Sequence, residues 1–326
     1  MNKIAIFRAL YLGDFLCSVP ALRALRKHHP HSTITWIGLP ETIELASRYN
    51  EYIDDYKVFP GFPLLTDHFN PDLFADFLEN IRKENFDLLL QMQGNGSIVN
   101  NLLTTFNANR LVGFCQENLT EDANFLHYPS ALHEIRRHLA LLQHIDIPSD
   151  GEQIDFPIRD ADRKNFENAP LSLKNKYVCL HPGSKAEWRR WPIAHFAKIG
   201  DHFIRKGYQV VITGTKSELD LASNLSETMK FEPLIATGRL SLGGTAVLLS
   251  SAKFLLTNCT GISHLAAAVR TPSLVISMDG EPDRWGPINK ELHKTVDWSK
   301  NPDFQAVFKE IESSPFNEPN TLSGEG

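Results

Sequence analysis

Short apolar runs alternate with segments of helical period along the whole chain. In the first half, KIAIF (3–7), TITWI (33–37), FDLLLQM (86–92) and RLVGF (110–114) read as buried strands. Between and after them, helices are expected near 19–29, 41–49, 71–84, 97–106 and 131–145. In the second half the strands are YVCL (177–180), YQVVIT (208–213), FLLT (254–257) and SLVISM (273–278). The helix that follows the first of these places Ile193, Phe196, Ala197, Gly200, Phe203 and Ile204 at steps of three and four, with Pro192 suited to its first turn and Gly207 to its exit.

Strand–helix alternation of this kind predicts an α/β fold with a parallel sheet covered on both faces, and here it occurs twice. The stretch 146–175 is polar, contains prolines and lacks a sustained apolar period, so it reads as a linker. A first domain is therefore expected over 1–160 and a second over 161–326, with a loose tail from about 313. Two doubly wound domains place a cleft between them, and ligands of such sheets sit outside the carboxyl ends of the strands.

Composition narrows the function classes. A length of 326 residues exceeds what one core usually supports, while 42% hydrophobic and 22% charged residues are ordinary for globular domains. The net charge of −6, from 39 acidic against 33 basic residues, gives no footprint for nucleic acid or an anionic membrane. Cys17, Cys115, Cys179 and Cys259 lie far apart and form no CxxC pair, which argues against a zinc knuckle and fits a reducing cytoplasm. The opening apolar stretch is interrupted by Arg8 and Asp14, too early for a signal-peptide core, and no run is long enough to span a bilayer. Attachment to a membrane surface stays open.

Four post-strand segments carry candidate chemistry. In YLGDFLCSVPALRAL (11–25), Gly13 and Asp14 follow the first strand. With Asp14 as helix cap, Pro20 would fall inside the helix, whereas Ser18 as cap puts Pro20 in the first turn, so Asp14 is assigned to the loop. A carboxylate held there stays ionised and can accept a proton from a bound hydroxyl. HPGSKAEWRRWP (181–192) offers Gly183, Ser184, Lys185, Arg189 and Arg190 just before a helix, a phosphate cradle or else a solvated basic loop with Trp188 and Trp191 beneath it. NCTGISHLAAA (258–268) places Thr260 as a cap, Gly261 where a ligand approaches the backbone, and His264 on the first turn. GTKSELD (214–220) presents Glu218 after the second strand of its half, where an acid binds ribose hydroxyls or is simply a first-turn residue. No segment matches GxxxxGK[ST] or GxGxxG, and GNGSIV (94–99) has only two of the three glycines. KHHPH (27–31) reads as a metal tract or, more simply, as solvated histidines at a helix exit, FPGFPLL (59–65) as an acceptor-side lid or, more simply, a proline-stiffened core loop, and His133, Arg136 and Arg137 as facing either an anionic acceptor or water.

The ordered set LGD…PALRAL, HEIRRHLALL (133–142), HPGS…RRWP, GTKSE, TGISHLAAAVRTPSLV and DRWGP (283–287) resembles glycosyltransferase family 9, the heptosyltransferases of lipopolysaccharide-core assembly. The resemblance runs from about residue 3 to 287. It implies a GT-B fold of two facing Rossmann-like domains, with the acceptor on the first and a nucleoside-diphosphate sugar, ADP-heptose being one, on the second. It further implies inversion at the anomeric carbon, no cofactor, no metal in the active site and no nucleic acid. A saccharide or glycolipid acceptor and peripheral contact with the cytoplasmic face of the inner membrane follow in the same way. On this pattern Asp14 is the general base, and Gly13 and Gln93 lie on the acceptor side. Arg189 contacts the donor phosphates, Glu218 holds the nucleoside, and Thr260, Gly261 and His264 form the helix-start donor site. The family pattern ND[ST]GxxH is broken at Cys259, which stands where an aspartate would contact the donor sugar. A nucleotide-sugar epimerase or hydrolase on the same scaffold, or a donor-binding protein with weakened catalysis, are the alternatives.

Overall fold

The computed structural model describes residues 1–67 and 69–313. The tail expected from about 313 lies outside the described residues, apart from Ser313 itself. The chain divides into two compact units, Met1–Pro157 and a second from Ile158 onward.

The strands of the first unit are β1 (Lys3–Phe7), β2 (Thr33–Gly38), β3 (Asp55–Val58), β4 (Leu88–Gln91), β5 (Leu111–Cys115) and β6 (Phe125–His127). Its helices are α1 (Leu12–His28), α2 (Ile43–Ser47), α3 (Pro71–Lys83), α4 (Val99–Thr104) and α5 (Glu134–Gln143). All six strands are parallel, in the order β3-β2-β1-β4-β5-β6. The second unit repeats the plan. Its strands β7 (Tyr177–His181), β8 (Gln209–Ile212), β9 (Leu234–Ile235), β10 (Leu255–Asn258), β11 (Ser273–Ser277) and β12 (His293–Asp297) are parallel in the order β12-β11-β10-β7-β8-β9. Helices α6 (Asp160–Glu167), α7 (Ile193–Arg205), α8 (Leu219–Thr228), α9 (Leu242–Ser251), α10 (Gly261–Ala268), α11 (Pro282–Trp285) and α12 (Phe304–Glu312) complete it. Each order is that of a Rossmann sheet, and it reverses direction once, between β1 and β4 in the first unit and between β7 and β10 in the second. At such a point the loops leaving the two strands diverge and open a crevice at their carboxyl ends.

The elements follow from local chemistry. Helix α3 starts where the Asn70 side chain accepts from the N–H groups of Asp72 and Leu73 and Pro71 supplies a preset φ, and Arg82 and Lys83 favour the dipole at its end. It lays Phe74, Phe77, Leu78 and Ile81 on a core built around Phe7, Phe59 and Phe106. Helix α7 runs from a Pro192 cap to Gly207, which takes φ of 83°, and packs Phe196, Ala197, Ile199 and Phe203 against β7, β8 and β10 side chains.

Two expectations are corrected. Helix α1 begins at Leu12, so Asp14 lies in the first helical turn rather than in a loop, Ser18 is interior and Pro20 sits within the helix. Helix α1 accommodates Pro20 although the proline removes the N–H that would bond Leu16 O, and the helix is buried on every side from Phe15 to Leu22. Cys17 O meets His138 Nδ1 at 3.3 Å, and the Ser18 hydroxyl donates to Asp14 O at 3.0 Å. The stretch 146–175 also contains α6, which packs against α9. That helix buries Asp162, whose carboxylate accepts from the Arg159 N–H at 2.8 Å, and so shows no apolar period. Among the described residues no helix is long and apolar enough to cross a membrane.

Candidate functional site

The first unit presents its chemistry at the β1/β4 reversal. Asp14 sits in the first turn of α1 with its side chain 23% exposed, where the helix dipole favours a negative charge. Behind it, the Arg8 side chain is 1% exposed and reaches Asp14 Oδ1 at 2.9 Å and Glu134 Oε1 at 3.0 Å. Glu134 is also paired with Arg137, whose guanidinium donates to the Tyr128 hydroxyl at 2.6 Å. Gln93 Oε1 accepts from the Ala9 N–H at 2.7 Å, tying the loop after β4 to the loop after β1. Gly13 precedes Asp14 in the same turn.

The α5 residues separate by face. His133 caps the helix through Nδ1, which accepts from the Ile135 N–H at 3.2 Å, and Arg136 is held outward by Glu152 at 2.7 and 3.0 Å. Arg137 faces neither an acceptor nor water: it is buried within the charged cluster. His138 is fully buried, and burial followed by the charge of Arg8 lowers its pKa to about 3. It is therefore neutral, with Nδ1–H donating to Cys17 O and Nε2 accepting from Arg8 Nη1 at 2.9 Å. Since the unfolded chain takes up this proton near pH 6.5 and the folded one only near 3, the unfolded state binds more protons in between. Stability is then complete above about pH 6.5 and falls as the solution is acidified. Urea midpoints measured from pH 7.5 to 4.5 should drop steadily, and His138→Gln should flatten the slope. Some slope should remain, because burial also lowers His293, to about 4.

The second unit places the 181–192 loop and the start of α10 at the β7/β10 reversal, with Glu218 after β8 and Asp279 after β11 beside them. The buried Asn258, at the end of β10, ties the two loops together. Its amide donates to Pro182 O at 2.8 Å and Gly183 O at 3.3 Å, and its Oδ1 accepts from the Trp191 N–H at 2.9 Å. Trp191 is wholly buried, whereas Trp188 is exposed and does not pack beneath the loop. Ser184 is buried, and its carbonyl accepts from Arg190 Nε at 3.1 Å. Arg190 also pairs with Glu187, and Lys185 is exposed. Arg189 is paired with Asp279, which follows β11. Burial works against ionising Asp279, yet the Ser277 hydroxyl, Arg189 and the Glu281 N–H hold its carboxyl below the ordinary aspartate value.

Gly183 is glycine for a reason of space: a Cβ there would run into the Glu218 carboxylate. Glu218 closes a capping box with Thr215, accepting from its N–H at 2.7 Å and its hydroxyl at 2.9 Å, and so stands directly against the loop after β7. Thr260 occupies the cap position of α10 without a side-chain capping bond, which leaves the first N–H groups of that helix without a hydroxyl acceptor from Thr260. Gly261 opens the helix, and His264 in its first turn is buried with its ring 6.3 Å from that of Trp285. Burial, then the charge of Asp279, pushes the Cys259 thiol up to about 12, so it is neutral at physiological pH. Among the described residues no group of three or more His, Cys, Asp or Glu side chains is arranged to hold a metal ion.

Arg8, Glu134, His138, Asn258 and Asp279 are the site residues that sequence reasoning passed over. A signal existed for the first three: a lone arginine at the end of an apolar strand, and an acid followed by bases three and four positions on along one helix face.

A family model described as glycosyltransferase family 9 (heptosyltransferase) matches residues 74–311. The chain is 24% identical over 294 residues to lipopolysaccharide heptosyltransferase 3 of Escherichia coli (strain K12), covering 86% of this chain and 84% of that one. Among solved structures, a family 9 glycosyl transferase from Veillonella parvula superposes with a TM-score of 0.76 at 20% identity, over 97% of this chain and 92% of that one. The E. coli heptosyltransferase WaaC with ADP gives 0.73 at 19% identity, over 96% and 99%. These likenesses carry the two-sheet GT-B fold.

Proposed function

The chain belongs to glycosyltransferase family 9, and from that premise we propose that it moves a heptose from a nucleoside-diphosphate donor such as ADP-heptose to a saccharide or glycolipid acceptor, with inversion and without a cofactor or an active-site metal. The observation that carries this reading is the placement of the principal candidate groups at the reversal point of their own sheet, with Glu218 packed against the loop after β7. Asp14 lies at the reversal of the first unit, and the 181–192 loop and the start of α10 at that of the second. A curated heptosyltransferase relative and an ADP-bound solved relative support the donor class.

In the second unit the diphosphate meets the N–H groups that open α10 and the cations Lys185, Arg189 and Arg190, which stabilise the charge that grows on the leaving group. Glu218 takes the ribose hydroxyls. In the first unit Asp14 accepts the proton of the acceptor hydroxyl as that oxygen attacks the anomeric carbon from the face opposite the departing diphosphate. The bond to the acceptor oxygen forms, the bond to the diphosphate oxygen breaks, and the configuration inverts. The Cys259 thiol is a poor acceptor for sugar hydroxyls. A glycolipid acceptor would bring the enzyme to the inner-membrane face.

Incubation with ADP-heptose and a lipopolysaccharide-core acceptor should raise the acceptor mass by one heptose. ADP release that is equally fast without acceptor would instead favour a hydrolase. Arg189→Ala should weaken nucleoside-diphosphate binding by about 1–3 kcal/mol, the scale of a charge-assisted hydrogen bond. Titration calorimetry would read this as an increase in Kd, and an unchanged Kd would move the phosphate site elsewhere.

A further inference from the structure

The cluster behind Asp14 is costly to build. Arg8, Glu134 and Arg137 are each at most 5% exposed at the side chain, and buried ion pairs of this kind are often no more stabilising than apolar residues of the same volume. Stability alone is thus a weak reason for such a network, and its location directly behind a part-exposed carboxylate suggests another. We propose that Arg8 is the positioning residue of the transfer reaction, holding the Asp14 carboxylate in one orientation and in its proton-accepting form. This inference rests on the reading of Asp14 as the base.

The geometry is a complete match between donors and acceptors. A guanidinium carries five N–H groups, and Arg8 has five acceptors around it. Nε donates to Asp14 O at 2.9 Å, Nη2 to Asp14 Oδ1 at 2.9 Å and to Glu134 Oε1 at 3.0 Å, and Nη1 to His138 Nε2 at 2.9 Å and to Met92 O. Arg8 therefore grips both the main chain and the side chain of Asp14, and its own position is fixed by β4's exit and by α5. Lysine has three donors and no planar fork, so it keeps the charge and loses the alignment.

The charged and titratable groups around Asp14 include Arg8 from the end of β1, which bonds it directly, and, across Arg8, Glu134 and His138 from α5, with Arg137 paired to Glu134. Tyr11 turns its hydroxyl to Asp67 at 3.1 Å. With His138 neutral, two cations balance two carboxylates. Removing the cation nearest Asp14 favours its protonated form.

The test compares Arg8→Gln, Arg8→Lys and Glu134→Gln in the full-length enzyme, with Arg8→Gln also placed in an Asp14→Asn background. Arg8→Gln should lower kcat by about 10- to 100-fold with donor Kd unchanged, and should move the acid limb of the kcat profile up by about one pH unit. Arg8→Lys should restore the acid limb but only part of kcat. In the Asp14→Asn background the further loss from Arg8→Gln should be less than about twofold, because the group it positions is already disabled. An equal loss in both backgrounds, or an unmoved acid limb, overturns the positioning role while leaving Asp14 as base. Wild-type turnover in Asp14→Asn alone overturns the base reading and this inference with it. Should Arg8→Gln fail to fold, Glu134→Gln decides. It leaves Asp14 as the only carboxylate on Arg8, so the acid limb should fall, and a limb that stays in place refutes the coupling.

Discussion

Asp14→Asn should reduce kcat by about 10²–10⁴-fold, the range that a positioned general base contributes, while the protein remains folded and binds donor with unchanged Kd. Asparagine has the size of aspartate and keeps an oxygen that can accept from Arg8 Nη2, now 2.9 Å from Oδ1. The hydrogen bond from Arg8 Nε to the Asp14 carbonyl at 2.9 Å does not depend on the side chain at all. What asparagine cannot do is take up the acceptor's proton. The groups assigned to the donor, from Gly183 to His264, belong to the other compact unit, so nucleoside-diphosphate affinity should not follow the loss of turnover. Single-turnover transfer assays together with calorimetric titration separate the two quantities. Turnover within tenfold of wild type would take the base role away from Asp14, and a parallel loss of donor binding would indicate general disruption.

The readable part of this chain was the part that local rules decide. Strand β1 falls on KIAIF because five residues with apolar side chains at every inward position have no competing reading, and α3 declares itself through Asn70, Pro71 and a two-turn apolar stripe. Strands β3, β6, β9 and β12 were missed. They are the four sheet-edge strands, segments of two to five residues such as DYKV and HKTVD, in which few side chains are buried and no apolar run forms. The start of α1 is misplaced from sequence alone because a proline in a helix interior costs a main-chain hydrogen bond and is normally excluded, yet Pro20 lies within this helix. The site divides along the same line. The places of Asp14, Glu218 and the α10 start in the fold are legible because each follows a strand end by a short stretch, and such strand ends are where this topology puts ligands. Arg8 meets Glu134 across 126 positions of sequence and Arg189 meets Asp279 across 90, so their partnership is visible only once the sheets have formed.

Trp191→Ala should cost the second unit about 3–5 kcal/mol, the scale of truncating a large buried aromatic residue. The indole is fully enclosed and contacts four rings, with centroids at 4.9 Å to His195, 5.3 Å to Phe196, 5.4 Å to Trp298 and 6.2 Å to Phe304. Alanine would leave a cavity among neighbours on α7, on α12 and just after β12. The effect should reach the donor site as well. Asn258 accepts from the main-chain N–H of Trp191, a bond that alanine can still make, and its amide holds the carbonyls of Pro182 and Gly183, so a shift of the Trp191 backbone after loss of the buried indole would pass to both ends of the 181–192 loop. Denaturant titration should therefore show a lower midpoint for Trp191→Ala, and nucleoside-diphosphate affinity should fall in the protein that remains folded. Trp188→Ala, three residues away, provides the contrast: its ring is 66% exposed, and its removal should change stability by no more than about 0.5 kcal/mol. Equal destabilisation by the two substitutions would mean that burial of Trp191 is not what anchors the loop.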